Sequence, residues 1–167
     1  MNQIALFEKV SFEQYQKDCE AAYGPLRGTA EELRKEWEAI RLPERATANS
    51  AGYDFFLPRH HYVTGLPVTF PTGIRCRIKE DWFLLCCPKS GLGFKHGLRL
   101  CNTIGIVDSD YYGAQNEGHI HAKIYSDTPF VLEAGDKFMQ GIFLPFGITE
   151  NDSAAGKRMG GFGSTGA

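Results

Sequence analysis

The chain has 167 residues, 43% of them hydrophobic, and a formal net charge of −2. That is enough apolar material for one domain with its own core, and the near-neutral balance excludes the electrostatic footprint of a nucleic-acid binder or of a protein held on an acidic membrane. No apolar run approaches the ~20 residues that span a bilayer, and MNQIALFEKV lacks the pattern of a signal peptide, so the expected setting is cytoplasmic, with neither membrane nor nucleic acid as partner.

In chain order, residues 1–42 read as a helical extension. Ser11 opens S-x-x-Q and Thr29 opens T-x-x-E, both with capping-box spacing. Behind Ser11, Phe12, Tyr15, Cys19 and Ala22 fall on one helical stripe; behind Thr29, Leu33, Trp37 and Ile40 do the same. Gly24-Pro25 separates the two segments, and Glu31, Glu32, Arg34 and Lys35 form a solvated face. No chemistry is visible in them.

Pro43 ends the helical pattern, and residues 43–150 read as a β domain. The strand candidates are 51–56, 62–64, 68–71, 73–78, 82–87, 98–101, 103–107, 119–125, 130–132 and 137–145, many of them β-branched or aromatic and alternating. Short strands at close spacing predict a sandwich or barrel rather than βαβ units. The remainder, 151–167, is small, polar and rich in glycine, the composition of a flexible arm. The cysteines (Cys19, Cys76, Cys86, Cys87, Cys101) form no C-x-x-C pair and read as small hydrophobes. Adjacent Cys86 and Cys87 point to opposite faces of a strand.

The stretch that carries most meaning is NTIGIVDSDYYG, Asn102 to Gly113. Ile104, Ile106 and Val107 predict a buried strand, followed by an acidic turn and two tyrosines. A carboxylate at the end of a rigid strand beside an aromatic ring suits a positioned base and a stacking platform, although an Asp-rich turn by itself is only a turn. Four other patches stand out. SAGYDF (Ser50 to Phe55) reads as a strand start with one Asp. PKSGLGFKHG (Pro88 to Gly97) offers a cation, a hydroxyl and backbone N–H groups that suit a phosphate, without Walker A spacing. GDKFMQG (Gly135 to Gly141) feeds a strand and sets Gln140 among apolar neighbours, where it is either structural or ligand-facing. RMGGFGSTG (Arg158 to Gly166) carries an aromatic between glycines, with Arg, Ser and Thr able to fold over a base and phosphates. His119-x-His121 is read as an exposed pair rather than a metal site.

In order and wording these five patches resemble the five motifs of the trimeric deoxyuridine triphosphatases, over roughly residues 45–167. NEGHI (Asn116 to Ile120) resembles a lengthened loop found in some bacterial branches. The resemblance implies a β jelly roll assembling as a homotrimer, with active sites shared between chains, and hydrolysis of dUTP to dUMP and pyrophosphate by water attack at the α-phosphorus. It implies Mg2+ carried on the triphosphate and reached by protein carboxylates through water, with no direct protein ligand.

Residue by residue, Asp108 matches the catalytic aspartate that activates water. Tyr111 matches the tyrosine that stacks on the deoxyribose and leaves no space for a 2′-hydroxyl. Asn102 and the backbone to Ile106 match the slot that reads uracil. Ser90 and Gly91 match phosphate contacts; Lys89 stands where the family usually has Arg, keeping the charge but losing the bidentate fork. Gln140 matches a phosphate contact, and Asp54 a structural aspartate near the metal and phosphates. Phe162 matches the aromatic that covers the uracil, Gly163 lies beside it, and Arg158, Ser164 and Thr165 match the γ-phosphate clamp. The alternatives are a dCTP deaminase, which would need a Glu near Lys123, and a non-catalytic nucleotide-sensing regulator on the same fold.

Overall fold

The computed structural model describes residues 2–25, 28–156 and 160. Twelve strands are present among them: β1 (Ala5–Lys9), β2 (Glu44–Arg45), β3 (Tyr53–Phe56), β4 (His61–Val63), β5 (Val68–Pro71), β6 (Ile74–Ile78), β7 (Trp82–Pro88), β8 (Arg99–Leu100), β9 (Gly105–Val107), β10 (His121–Tyr125), β11 (Phe130–Leu132) and β12 (Lys137–Pro145). The helices are α1 (Phe12–Tyr23), α2 (Ala30–Ala39) and α3 (Ser90–His96), with a 3₁₀ turn at Ser109–Gly113. Every strand pairing is antiparallel. The largest sheet runs β2-β3-β12-β7-β9; β5-β10-β8, β1-β6 and β11-β4 complete the sandwich. This is the expected mainly-β jelly-roll architecture.

Alternation explains how one core serves all the sheets. Along β6, Ile74, Cys76 and Ile78 point inward while Arg75 and Arg77 point away. The same cluster takes Phe7 from β1, Phe55 from β3, Phe70 from β5, Leu84 from β7, Ile124 from β10 and Phe138 from β12. Burial pushes the Cys19 thiol up to about 11 and those of Cys76 and Cys86 up to about 12, so these three behave as the small hydrophobes expected. Cys86 is buried and Cys87 half-buried, as opposite strand faces require.

One reading of the first 42 residues needs correction. Residues 5–9 are not helical: β1 pairs with β6 from Ala5–Ile78 to Lys9–Ile74, so the chain enters through the β domain. The two helices pack on the β domain. Phe12, Tyr15, Cys19 and Leu33 belong to the common core, each fully buried large side chain stabilising by about 1.5–3 kcal/mol. Both caps form: Ser11 accepts from the Gln14 amide, and Thr29 and Glu32 make a reciprocal capping box. Glu36 cross-links the layer, accepting from Tyr15 Oη at 2.6 Å and from Arg59 Nη2 at 2.7 Å. Among the described residues no helix is long and apolar enough to cross a membrane.

Acid should weaken this packing in a defined window. His61 lies against Phe70 and Tyr23, with ring centroids 4.5 and 5.2 Å away, and its buried Nε2 has no hydrogen-bond partner. Burial first, then the positive charge of Arg59, depresses its pKa from 6.5 to about 4. The unfolded chain therefore binds the proton first, and stability falls as pH drops from about 6.5 towards 4, by up to about 3 kcal/mol. Urea melts of wild type and His61→Gln at pH 7, 5 and 4 should show a shallower slope in the variant, the remainder coming from His119, whose pKa burial also lowers. Asp18, Asp54 and Glu117, whose pKa values are held low in the fold, lose their contributions only at lower pH.

Candidate active site

Three of the sequence patches meet at one end of the large sheet. Asp54 on β3 pairs with Gln140 on β12, which pairs in turn with Cys87 on β7. Just beyond, β7 passes into α3 through Lys89, whose amide donates to Phe138 O at 3.0 Å. The Asp54 carboxylate is almost fully buried and carries one lysine on each oxygen: Lys89 Nζ at 2.5 Å from Oδ1 and Lys137 Nζ at 2.9 Å from Oδ2. Burial alone would raise its pKa, but the two lysines outweigh that and hold the carboxyl below its usual range. Two ammonium groups thus hold the two oxygens, one of them from the position where the resemblance expects Arg. Lys137 was not singled out in the sequence, although GDKFMQG contains it. Lys137→Met should cost about 1–3 kcal/mol in urea unfolding by leaving one Asp54 oxygen without its cation.

The same end carries exposed donors. Ser90 and Gly91 are exposed and open α3, and the first turn of a helix leaves its leading N–H groups without intrahelical acceptors. Gln140 is half-buried.

NTIGIVDSDYYG lies at the edge of the large sheet. Among the described residues β9 pairs only with β7, so that its outer edge has no strand partner among them. The expected buried strand is buried only at Val107; Ile106 is 55% exposed and Ile104 42%. Asn102 is exposed in the reversal before it, where Ile104 N donates to Asn102 O at 2.7 Å and Thr103 takes a φ of 67°. Asp108 is half-exposed and leads the 3₁₀ turn, but its carboxylate does not cap that turn. Tyr111 is buried; its hydroxyl donates to His119 O at 2.8 Å and accepts from Asn116 Nδ2 at 2.8 Å. The two bonds hold the hydroxyl inward.

The register keeps these two regions apart within one chain. Val107 is opposite Leu84, so Asp108 falls beside Phe83, whereas Ser90 follows the other end of β7. Seven residues of extended chain separate those levels, roughly 20 Å. Arg158, Phe162, Gly163, Ser164 and Thr165 lie outside the described residues.

His119 and His121 are not the exposed pair expected. The His119 side chain is fully buried, His121 is 23% exposed, and both approach Asp18 of α1, at 2.5 and 3.2 Å. Asp18 is 101 residues from His119, and no local pattern announces the contact.

A family model for dUTPase matches residues 38–166. The chain belongs to the dUTPase family. Among curated relatives of the family, the deoxyuridine 5′-triphosphate nucleotidohydrolase of Lactococcus lactis is 37% identical over 134 residues, covering 77% of this chain and 89% of its own. Among solved structures, the dUTPase from Streptococcus mutans is 38% identical with a TM-score of 0.61, over 66% of this chain and 89% of that one. A variant of the dUTPase from phage phi11 of S. aureus, whose structure describes coordination of a structural Mg(II) ion, is 18% identical with a TM-score of 0.58, over 70% of this chain and 91% of that one, a likeness of fold. The dUTPase match begins at residue 38, so β1, α1 and most of α2 precede it. At the position where a deaminase would need its Glu, Lys123 is exposed on β10.

Proposed function

We propose that this chain hydrolyses dUTP to dUMP and pyrophosphate, in a homotrimer whose active sites are shared between chains. In the cytoplasm this reaction limits uracil incorporation into DNA and supplies dUMP for thymidylate synthesis. The observation that carries the reading is the turn after β9: a carboxylate set at the end of an edge strand, off the cap, three residues before an immobilised tyrosine ring. Asp108 takes a proton from water as the water oxygen bonds to the α-phosphorus; the bond from that phosphorus to the bridging oxygen breaks, and pyrophosphate leaves with the electron pair. The Tyr111 ring lies under the deoxyribose and leaves no volume for a 2′-hydroxyl. The open backbone edge between Asn102 and Ile106 hydrogen-bonds the uracil edge.

Ser90 and Gly91, with Gln140, hold the phosphates from the far end of the sheet of another copy. The separation along β7 supports this, because one chain does not bring its phosphate donors to its own Asp108. Phe94, 95% exposed, and Ile148, 75% exposed, are the kind of surface that a neighbouring copy covers. The arm supplies Phe162 over the base with Gly163 beside it, and Arg158, Ser164 and Thr165 at the γ-phosphate.

Mg2+, when present on the triphosphate, neutralises its charge and is a hard cation that takes oxygen ligands. The donor set fits that role at one remove. Asp108 and Asp110 would be the carboxylates nearest to reach its water shell, while Asp54 is committed to two lysines and acts by holding Lys89 and Lys137 in place.

Pyrophosphate release should be rapid from dUTP and Mg2+, and at least ~100-fold slower from dCTP, dTTP and UTP. Ammonia from dCTP, or no product from any of them, would overturn the reading. Removing the arm after Asn151 should leave a trimer by light scattering with dUTP turnover reduced at least ~100-fold; full turnover would show the arm to be dispensable.

A further inference from the structure

The segment before the dUTPase match holds the back of the turn that carries Tyr111. Tyr112 Oη donates to Glu8 Oε2 at 2.8 Å. Ser11 donates twice to Glu117, from N at 2.8 Å and from Oγ at 2.6 Å. Between Tyr112 and His119 the chain turns through Glu117 and Gly118, both with positive φ, and a Cβ at Gly118 would lie 2.7 Å from Tyr111 O. The loop is therefore packed directly on the backbone of the Tyr111 turn.

The deepest tie is Asp18. Gly73 N–H donates to His119 Nε2 at 2.7 Å, so that nitrogen is the acceptor and the ring proton sits on Nδ1. Nδ1 donates it to Asp18 Oδ2 at 2.5 Å. This assignment also disposes of a metal at Asp18, His119 and His121, whose ligand atoms lie within 4.8 Å of one another: a metal on Nδ1 would require the proton on Nε2, where the Gly73 N–H already points. Gln14 Nε2 donates to the same Asp18 oxygen at 2.8 Å, and His121 lies 3.2 Å from it. The hub is a hydrogen-bonded anchor. Its output is the His119 carbonyl, which accepts the Tyr111 hydroxyl at 2.8 Å.

We propose that Asp18 is a positioning residue for sugar discrimination: through the His119 ring and carbonyl it fixes the Tyr111 ring at the depth that excludes a 2′-hydroxyl. This rests on Tyr111 lying under the deoxyribose. Exclusion of one hydroxyl is a matter of tenths of an ångström, so a ring freed to sink or tilt admits UTP before it loses dUTP.

The test is the ratio of kcat/KM for dUTP to that for UTP in the full-length protein, with thermal melts alongside. Asp18→Ala should lower the ratio at least ~10-fold, and Asp18→Asn, which keeps an acceptor oxygen of the same shape, about threefold. Tyr15→Phe is the control: it removes the bond to Glu36 from the same helix but keeps the ring that lies 6.2 Å from His119, and should leave the ratio unchanged. A folded Asp18→Ala with the wild-type ratio overturns the proposal, as does an equal fall in Tyr15→Phe. If Asp18→Ala does not fold, Asp18→Asn decides alone, and an unchanged ratio overturns it. A wild type that cleaves dUTP and UTP equally would instead remove the assigned role of Tyr111, a distinguishable result.

Discussion

Asp108→Asn is expected to fold, bind dUTP and lose about three orders of magnitude in turnover. The size follows from what a positioned general base contributes, ~10²- to 10⁴-fold. Folding should survive because the Asp108 carboxylate is half-exposed and does not cap the 3₁₀ turn. Asn keeps the volume and an oxygen acceptor and loses the negative charge and with it the capacity to take a proton. Calorimetric titration with a non-hydrolysable dUTP analogue, beside single-turnover pyrophosphate release, separates the two effects. Unchanged affinity with turnover reduced ~10³-fold fits the assignment. Turnover within tenfold of wild type would place the base elsewhere.

Two dead variants should rescue each other. Ser90→Glu sets a carboxylate against the phosphates at one end of β7; Asp108→Asn removes the base beyond the other end. If each site takes its phosphate donors from one chain and its base from another, randomly mixed trimers contain sites with both intact parts. For equal amounts of the two chains, the phosphate-donating chain is intact half the time and the base-donating chain half the time. Recovered activity should then be about one quarter of wild type. The variants are mixed by co-refolding, with the separately refolded proteins as controls. No recovery would mean that each chain builds its site alone, and the roughly 20 Å of β7 between Ser90 and Asp108 would have to be bridged in another way.

The β domain was legible because its strands obey local rules. Val68–Pro71, Phe130–Leu132 and Lys137–Pro145 fall where alternation and turn residues set them. The failures have physical causes too. β1 has little pattern of its own and owes its existence to β6, some seventy residues later along the chain. α3 contains Gly91 and Gly93, so its sequence argues against a helix; it forms where β7 ends and Gly97 closes it in the left-handed region. His119 was read as exposed because period-two alternation says nothing about a partner on another element. Asp108, Tyr111, Ser90 and Gln140 are singled out by motif wording alone. Lys137 and Asp18 carry no such signal, because their contacts are set by where the chain brings them.

The place of β12 in the large sheet also fixes an order of events during synthesis. It is the strand to which both β3 and β7 are hydrogen-bonded, yet it follows both of them in the chain and leaves the ribosome after them. Until Pro145 has emerged, β3 and β7 have no common partner, and Phe55 and Leu84 cannot reach their final burial. The capped helices α1 and α2 are made before β3, but at 12 and 10 residues they depend on the same core for their buried faces. The nascent chain therefore passes through a stage with an open, apolar half-sheet, when chaperone capture competes with completion of the fold.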